Sequence, residues 1–214
     1  MNFIKSMIFG SEGSYNILGT QVHFTNQAPS DGRISLEGAG IVSRIALACL
    51  NSNTFRYLTQ GYSHVFIHEM GHALADRLLT HKDVDPYDTP SVYISKESCE
   101  GENWPTSASE FLPEWKRTIL DVAGPMADIA FSSCKIVAAT SLKNYLPLPV
   151  TLALGGAGAL WIFGELVYAY TSVLNKDGGD FSNIAERGNV HLALASTAVV
   201  SQVALAIFTA ISLS

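Results

Sequence analysis

The sequence predicts an all-α fold, a polytopic membrane helix bundle of four to five helices preceded by a small N-terminal β-hairpin-like segment, on three observations. Residues 118–142, 150–174 and 190–213 are apolar runs, each longer than the ~20 residues that carry an α-helix across a bilayer. Of the 214 residues, 48% are hydrophobic and only 15% charged, a low charge load for a water-facing surface. A further helix, predicted over 57–79, is apolar nearly all round an H-E-x-x-H pentapeptide, because Val65, Phe66, Ile67, Ala73, Leu74 and Ala75 flank it. Such a helix lies deep in protein or lipid.

In chain order, residues 1–33 mix Gly, Ser, Asn and Pro with alternating pieces such as Gln21-Val22-His23-Phe24-Thr25. They predict a small hairpin before the first helix, with Ser30-Asp31-Gly32-Arg33 as a turn signal between strand-like runs. Residues 34–214 are the membrane-embedded part. Their first segment, 34–50, is apolar but short and interrupted by Glu37 and Arg44, so it is re-entrant or packed on other helices, and the helix count is four or five accordingly. The 57–79 helix is long enough to span, and its Gln60, His64, His68, Glu69, His72 and Asp76 are costly in hydrocarbon unless they line a protected cavity. Residues 81–117, rich in Asp, Glu, Pro and Ser and holding Trp104 and Trp115, are too hydrophilic to cross and form an exposed acidic loop. Pro147-Leu148-Pro149 separates the next two apolar runs, of which 150–174 carries Glu165 as its single charge; 190–213 carries none.

A net charge of -6 without any run of Lys and Arg excludes nucleic acid as a partner. Cys49, Cys99 and Cys134 are an odd number at unrelated spacings, which speaks against both a disulfide framework and a cysteine metal site. Residues 1–10 hold one Lys and a very short apolar run, so no cleavable secretory signal is predicted and insertion would use the internal helices.

The chemistry is concentrated in His68-Glu69-Met70-Gly71-His72. On a helix, the two imidazoles stand one turn apart on the same face with a carboxylate beside them, the pattern of a zinc site carrying its own base. A catalytic zinc ion needs a third protein ligand and leaves its fourth position for water. Asp121, Asp128, Glu165, Asp177, Asp180 and Glu186 are the candidates, and only Asp177 and Asp180 fall in a glycine-containing break between apolar helices, Asp177-Gly178-Gly179-Asp180-Phe181. Glu69, placed between the histidines, suits proton transfer to and from the reacting groups rather than ligation.

Three motifs in order, His68-Glu69-Met70-Gly71-His72-Ala73-Leu74-Ala75, Ala123-Gly124-Pro125-Met126-Ala127-Asp128 and Gly179-Asp180-Phe181-Ser182-Asn183-Ile184-Ala185, together resemble the site-2 protease family of intramembrane zinc metalloproteases. The likeness covers roughly residues 63–190. It implies Zn2+ held by His68, His72 and Asp180, with Glu69 activating water. It further implies a multi-pass integral membrane endopeptidase, surrounded by membrane lipid, that cuts another membrane protein in or near a transmembrane segment. Two departures stand out. The family has Asn where this chain has Asp128, and its Leu-Asp-Gly ligand motif is here Lys176-Asp177-Gly178. Asp177 aligns by its glycines and Asp180 by the shorter Asp-x-x-x-Ile-Ala pattern of divergent members; Asp180 is the preferred ligand.

Plainer readings stand beside these. His64, one turn before His68, reads as a hydrogen-bonded core histidine, while Asp121 and Asp128 read as a polar stripe against neighbouring helices. Gly124-Pro125 either kinks its helix or presents backbone to an extended substrate. Gly155-Gly156-Ala157-Gly158 reads as a small-residue packing surface. The rival functions are a soluble zinc metallopeptidase with the apolar helices as its core, and a catalytically silent membrane scaffold.

Overall fold

A computed structural model describes residues 2–9, 12–25, 62–80, 88–95, 101–176 and 179–212, and over these the chain is mainly helical with one small sheet. Helix α1 (Asn2–Phe9) leads into a hairpin of β1 (Gly13–Ile17) and β2 (Thr20–Thr25). Leu18 and Gly19 form its two-residue turn, both with positive φ (52° and 77°), the twist that a tight hairpin needs. The Asn16 side chain accepts from the Gly19 amide at 3.1 Å, and the Arg77 guanidinium donates to the Leu18 carbonyl. The predicted hairpin is therefore present, but its turn is Leu18-Gly19 and a helix precedes it; Ser30-Asp31-Gly32-Arg33 lie outside the described residues, as does the 34–50 segment.

The largest departure from the sequence reading is in the acidic loop. Within 81–117, β3 (Ser91–Ser95) and β4 (Gly101–Trp104) complete a four-stranded sheet of order β1-β2-β3-β4. Strands β2 and β3 run parallel, Val22 opposite Val92 and Phe24 opposite Ile94. Parallel neighbours require a long crossover, and α2 (Ser63–Thr80) lies within it. A short 3-10 turn (Ser107–Phe111) then leads into the bundle of α3 (Glu114–Ser141), α4 (Leu148–Asn175), α5 (Asp180–Glu186) and α6 (Asn189–Ser212).

Two apolar cores explain how these parts meet. Val22, Phe24, Val92 and Ile94 alternate along their strands and bury one sheet face against Tyr62, Phe66, Met70 and Ala73, a stripe that recurs at helical spacing along α2. Ile129, Ile162, Phe181, Ile184, Ala195 and Val199 form the second core, between α3, α4, α5 and α6. Helix α2 is thus covered on one side by the sheet and on the other by α3, which is why its sequence shows no clear polar face.

Among the described residues, α3, α4 and α6 are long and apolar enough to cross a membrane. On α4 and α6 large apolar side chains are exposed, for example Leu152, Leu160, Leu194, Val200, Leu205 and Phe208. The motif helix does not join them: its described part has 18 residues and its composition is too polar. Helix α3 continues through Pro125.

Asp76 fastens the end of α2 to the segment after β4. Fully buried, it accepts the Thr106 amide at 2.7 Å and the Thr106 hydroxyl at 3.0 Å. Asp76→Ala would strand both donors, and a loss of about 2–4 kcal/mol is expected, read as a lowered unfolding temperature in detergent. Asp76→Asn, which keeps one acceptor, should lose less; equal stability of the alanine variant and wild type would refute the assignment.

Candidate metal centre

His64, His68 and His72 recur every fourth residue on the face of α2 turned to α3, and each ring is engaged there. Nδ1 of His72 lies 2.8 Å from the Leu120 carbonyl oxygen, and Nδ1 of His68 lies 2.8 Å from Asp128 Oδ2. Both partners can only accept, so both Nδ1 atoms carry hydrogen, and the neutral rings turn their lone pairs outward at Nε2.

Those lone pairs converge. The two Nε2 atoms are 3.1 Å apart, and Asp180 brings Oδ2 to 3.2 Å from that of His68 and Oδ1 to 3.4 Å from that of His72. Three acceptors at such distances repel one another unless positive charge lies among them, as protons on the Nε2 atoms or as a metal ion. A tetrahedral ion with bonds of about 2.0–2.1 Å sets its ligand atoms about 3.3 Å apart, close to the 3.1 Å between the two Nε2 atoms and to the distance from each of them to its nearer Asp180 oxygen. His68, His72 and Asp180 could therefore hold a metal ion, with a coordination position to spare.

Asp180 is put there by its surroundings. Its amide donates to the Tyr168 hydroxyl at 3.1 Å and the Ser182 amide to Ser172 Oγ at 3.2 Å, so α4 side chains satisfy the free N–H groups at the start of α5. At the other end of α5, Arg187 pairs with Asp121 of α3 at 2.5 Å. Burial opposes charge on Asp180, but the neighbouring His72 and His68 rings, when they carry protons on Nε2, outweigh it and hold the carboxyl well below the usual carboxylate range.

Close backbone approach gives the ligands their room. A Cβ on Gly124 would sit 2.2 Å from His72 Nε2 and 2.7 Å from His68 Nε2, inside the space a metal would fill, and one on Gly71 would sit 2.5 Å from the Ala123 carbonyl oxygen. The Gly-Pro motif therefore lies directly on the site. Glu69 is buried beside the histidines, against the first residue of β4: a Cβ on Gly101 would be 2.5 Å from its Cγ and 2.8 Å from Oε1.

Of the sequence candidates, the structure brings together His68, His72, Asp180 and Glu69. Asp121 is taken up by Arg187, Asp177 lies outside the described residues, and Asp128 and Glu165 stand behind His68. With His68 these last two make a second group whose potential ligand atoms lie within 4.8 Å of one another. Sequence reasoning missed the roles of Tyr168, Ser172 and the Leu120 carbonyl, for which no local pattern exists. Glu165 did leave a trace, as the single charge in its helix. No protein-family model, no curated protein and no solved structure matches this chain.

Proposed function

We propose that the chain is an intramembrane zinc metalloendopeptidase of the site-2 protease type, cutting a peptide bond in or near a transmembrane segment of another protein. The observation that carries this reading is the triangle of His68 Nε2, His72 Nε2 and the Asp180 carboxylate, with Glu69 buried at its side. Two imidazoles, one carboxylate and an open position suit zinc in a hydrolytic role better than a closed structural site. The three apolar helices beside it support residence in a bilayer.

Bound there, zinc would supply Lewis acidity that polarises the scissile carbonyl and makes water a nucleophile near neutral pH. His68, His72 and Asp180 fix the place where that happens. Glu69 takes a proton from the attacking water and gives it to the leaving amine. The substrate has to be extended, because a helix hides its carbonyls in its own hydrogen bonds, and β4 supports this: among the described residues it ends the sheet order, and it begins against Glu69. A substrate strand added to that edge would be held by its backbone and carried past the base.

The test is metal removal. Detergent-purified protein should cleave a transmembrane model peptide, lose that activity to a chelator and regain it with zinc. Cleavage that persists without metal, or full zinc occupancy with no cleavage of any membrane peptide, would refute the proposal.

A further inference from the structure

We propose that Asp128 is a positioning residue for the metal centre, a buried carboxylate that fixes His68 with its proton on Nδ1 and its lone pair on the metal side, with His64 against its other oxygen. The inference rests on the zinc reading and carries it to residues behind the ligands. Asp128 is only 4% exposed, His64 3% and Glu165 8%. The carboxylate lies against two rings: Oδ2 is hydrogen-bonded to His68 Nδ1 at 2.8 Å, and Oδ1 is in ion-pair contact with His64 Nδ1 at 2.6 Å without hydrogen-bond alignment. His64 is itself anchored, by Ser132 Oγ at 3.1 Å from Nε2 and by the Trp161 ring stacked at 4.6 Å. Histidine ligands that donate their second N–H to a carboxylate are held in one tautomer and are better electron donors.

The same atoms could be read as a second metal site, since His68, Asp128 and Glu165 offer ligand atoms within 4.8 Å of one another. The distances favour bracing. At 2.8 Å His68 Nδ1 sits at hydrogen-bond separation from Asp128 Oδ2, closer than the about 3.3 Å between two ligands around one ion. A metal on that side would also need a lone pair on His68 Nδ1, where the ring instead carries the hydrogen it donates to Asp128.

Asp128→Asn tests this with little steric change. The amide oxygen can still accept from His68, and the amide nitrogen can donate to His64 once that ring moves its proton to Nε2 and donates to Ser132. Only the charge is lost. In the detergent-purified full chain, zinc affinity measured by chelator competition should fall about 10–100-fold in Asp128→Ala, which leaves His68 Nδ1 without an acceptor, and less in Asp128→Asn, with the fold retained, and Glu165→Gln should keep one zinc per chain. Wild-type affinity in Asp128→Ala would overturn the proposal and leave the zinc reading standing. Two metal ions per wild-type chain, one of them lost in Glu165→Gln, would overturn it in favour of a second site. Wild type that binds no zinc would sink both readings together. Should Asp128→Ala fail to fold, 15N NMR of the metal-free wild type decides: a proton on Nδ1 of His68 supports the proposal, and an Nδ1 without one overturns it.

Discussion

Replacing Glu69 with Gln is expected to slow cleavage of a membrane peptide by about 10²–10⁴-fold, the worth of a positioned general base, while zinc content stays at the wild-type level. The two halves of that result belong together. Glu69 is buried next to the ligands but is not one of the three groups that converge, so the amide should leave metal binding intact and remove only the proton transfer. Zinc analysis and peptide cleavage on the same preparation check it. Undiminished cleavage would remove Glu69 from the mechanism; loss of zinc would make it a ligand.

Asp180→Ala is expected to empty the site, a larger loss than the about 10–100-fold that follows removal of an outer hydrogen-bond partner. Here a carboxylate that faces both Nε2 atoms disappears, and the two imidazoles, 3.1 Å apart, would have to hold the ion without a negative charge to offset its own. Asp177→Ala should keep its metal. Zinc retained by Asp180→Ala and lost by Asp177→Ala would reverse the assignment and mean that the chain turns differently between α4 and α5.

What the sequence disclosed and what it hid follow from the range of the forces involved. His68, Glu69 and His72 are legible because a helix converts spacing into a shared face. The runs that became α3, α4 and α6 are legible because length and hydropathy are local properties. Asp180 could be narrowed to one of two, since glycines mark a break but do not say which carboxylate turns inward; Tyr168, Ser172 and the Arg187–Asp121 pair make that choice, and they are distant in sequence. Strands β3 and β4 were hidden by their polar, charged surroundings, and their place in the sheet rests on a parallel pairing with β2 across the motif helix. The two-sided burial of α2, one stripe on the sheet and the histidines on α3, reads from composition as a helix meant for lipid. Asp128 was visible as a departure from the family pattern. Its grip on His68 and His64 depends on how α3 lies along α2, which no local pattern encodes.

X-ray absorption at the zinc edge of the purified protein tests the central claim most directly. The account predicts about one zinc per chain with two imidazole nitrogens and carboxylate oxygen at about 2.0–2.1 Å and no sulfur. A protein without zinc, or a zinc signal with sulfur or with fewer than two imidazoles, would contradict it.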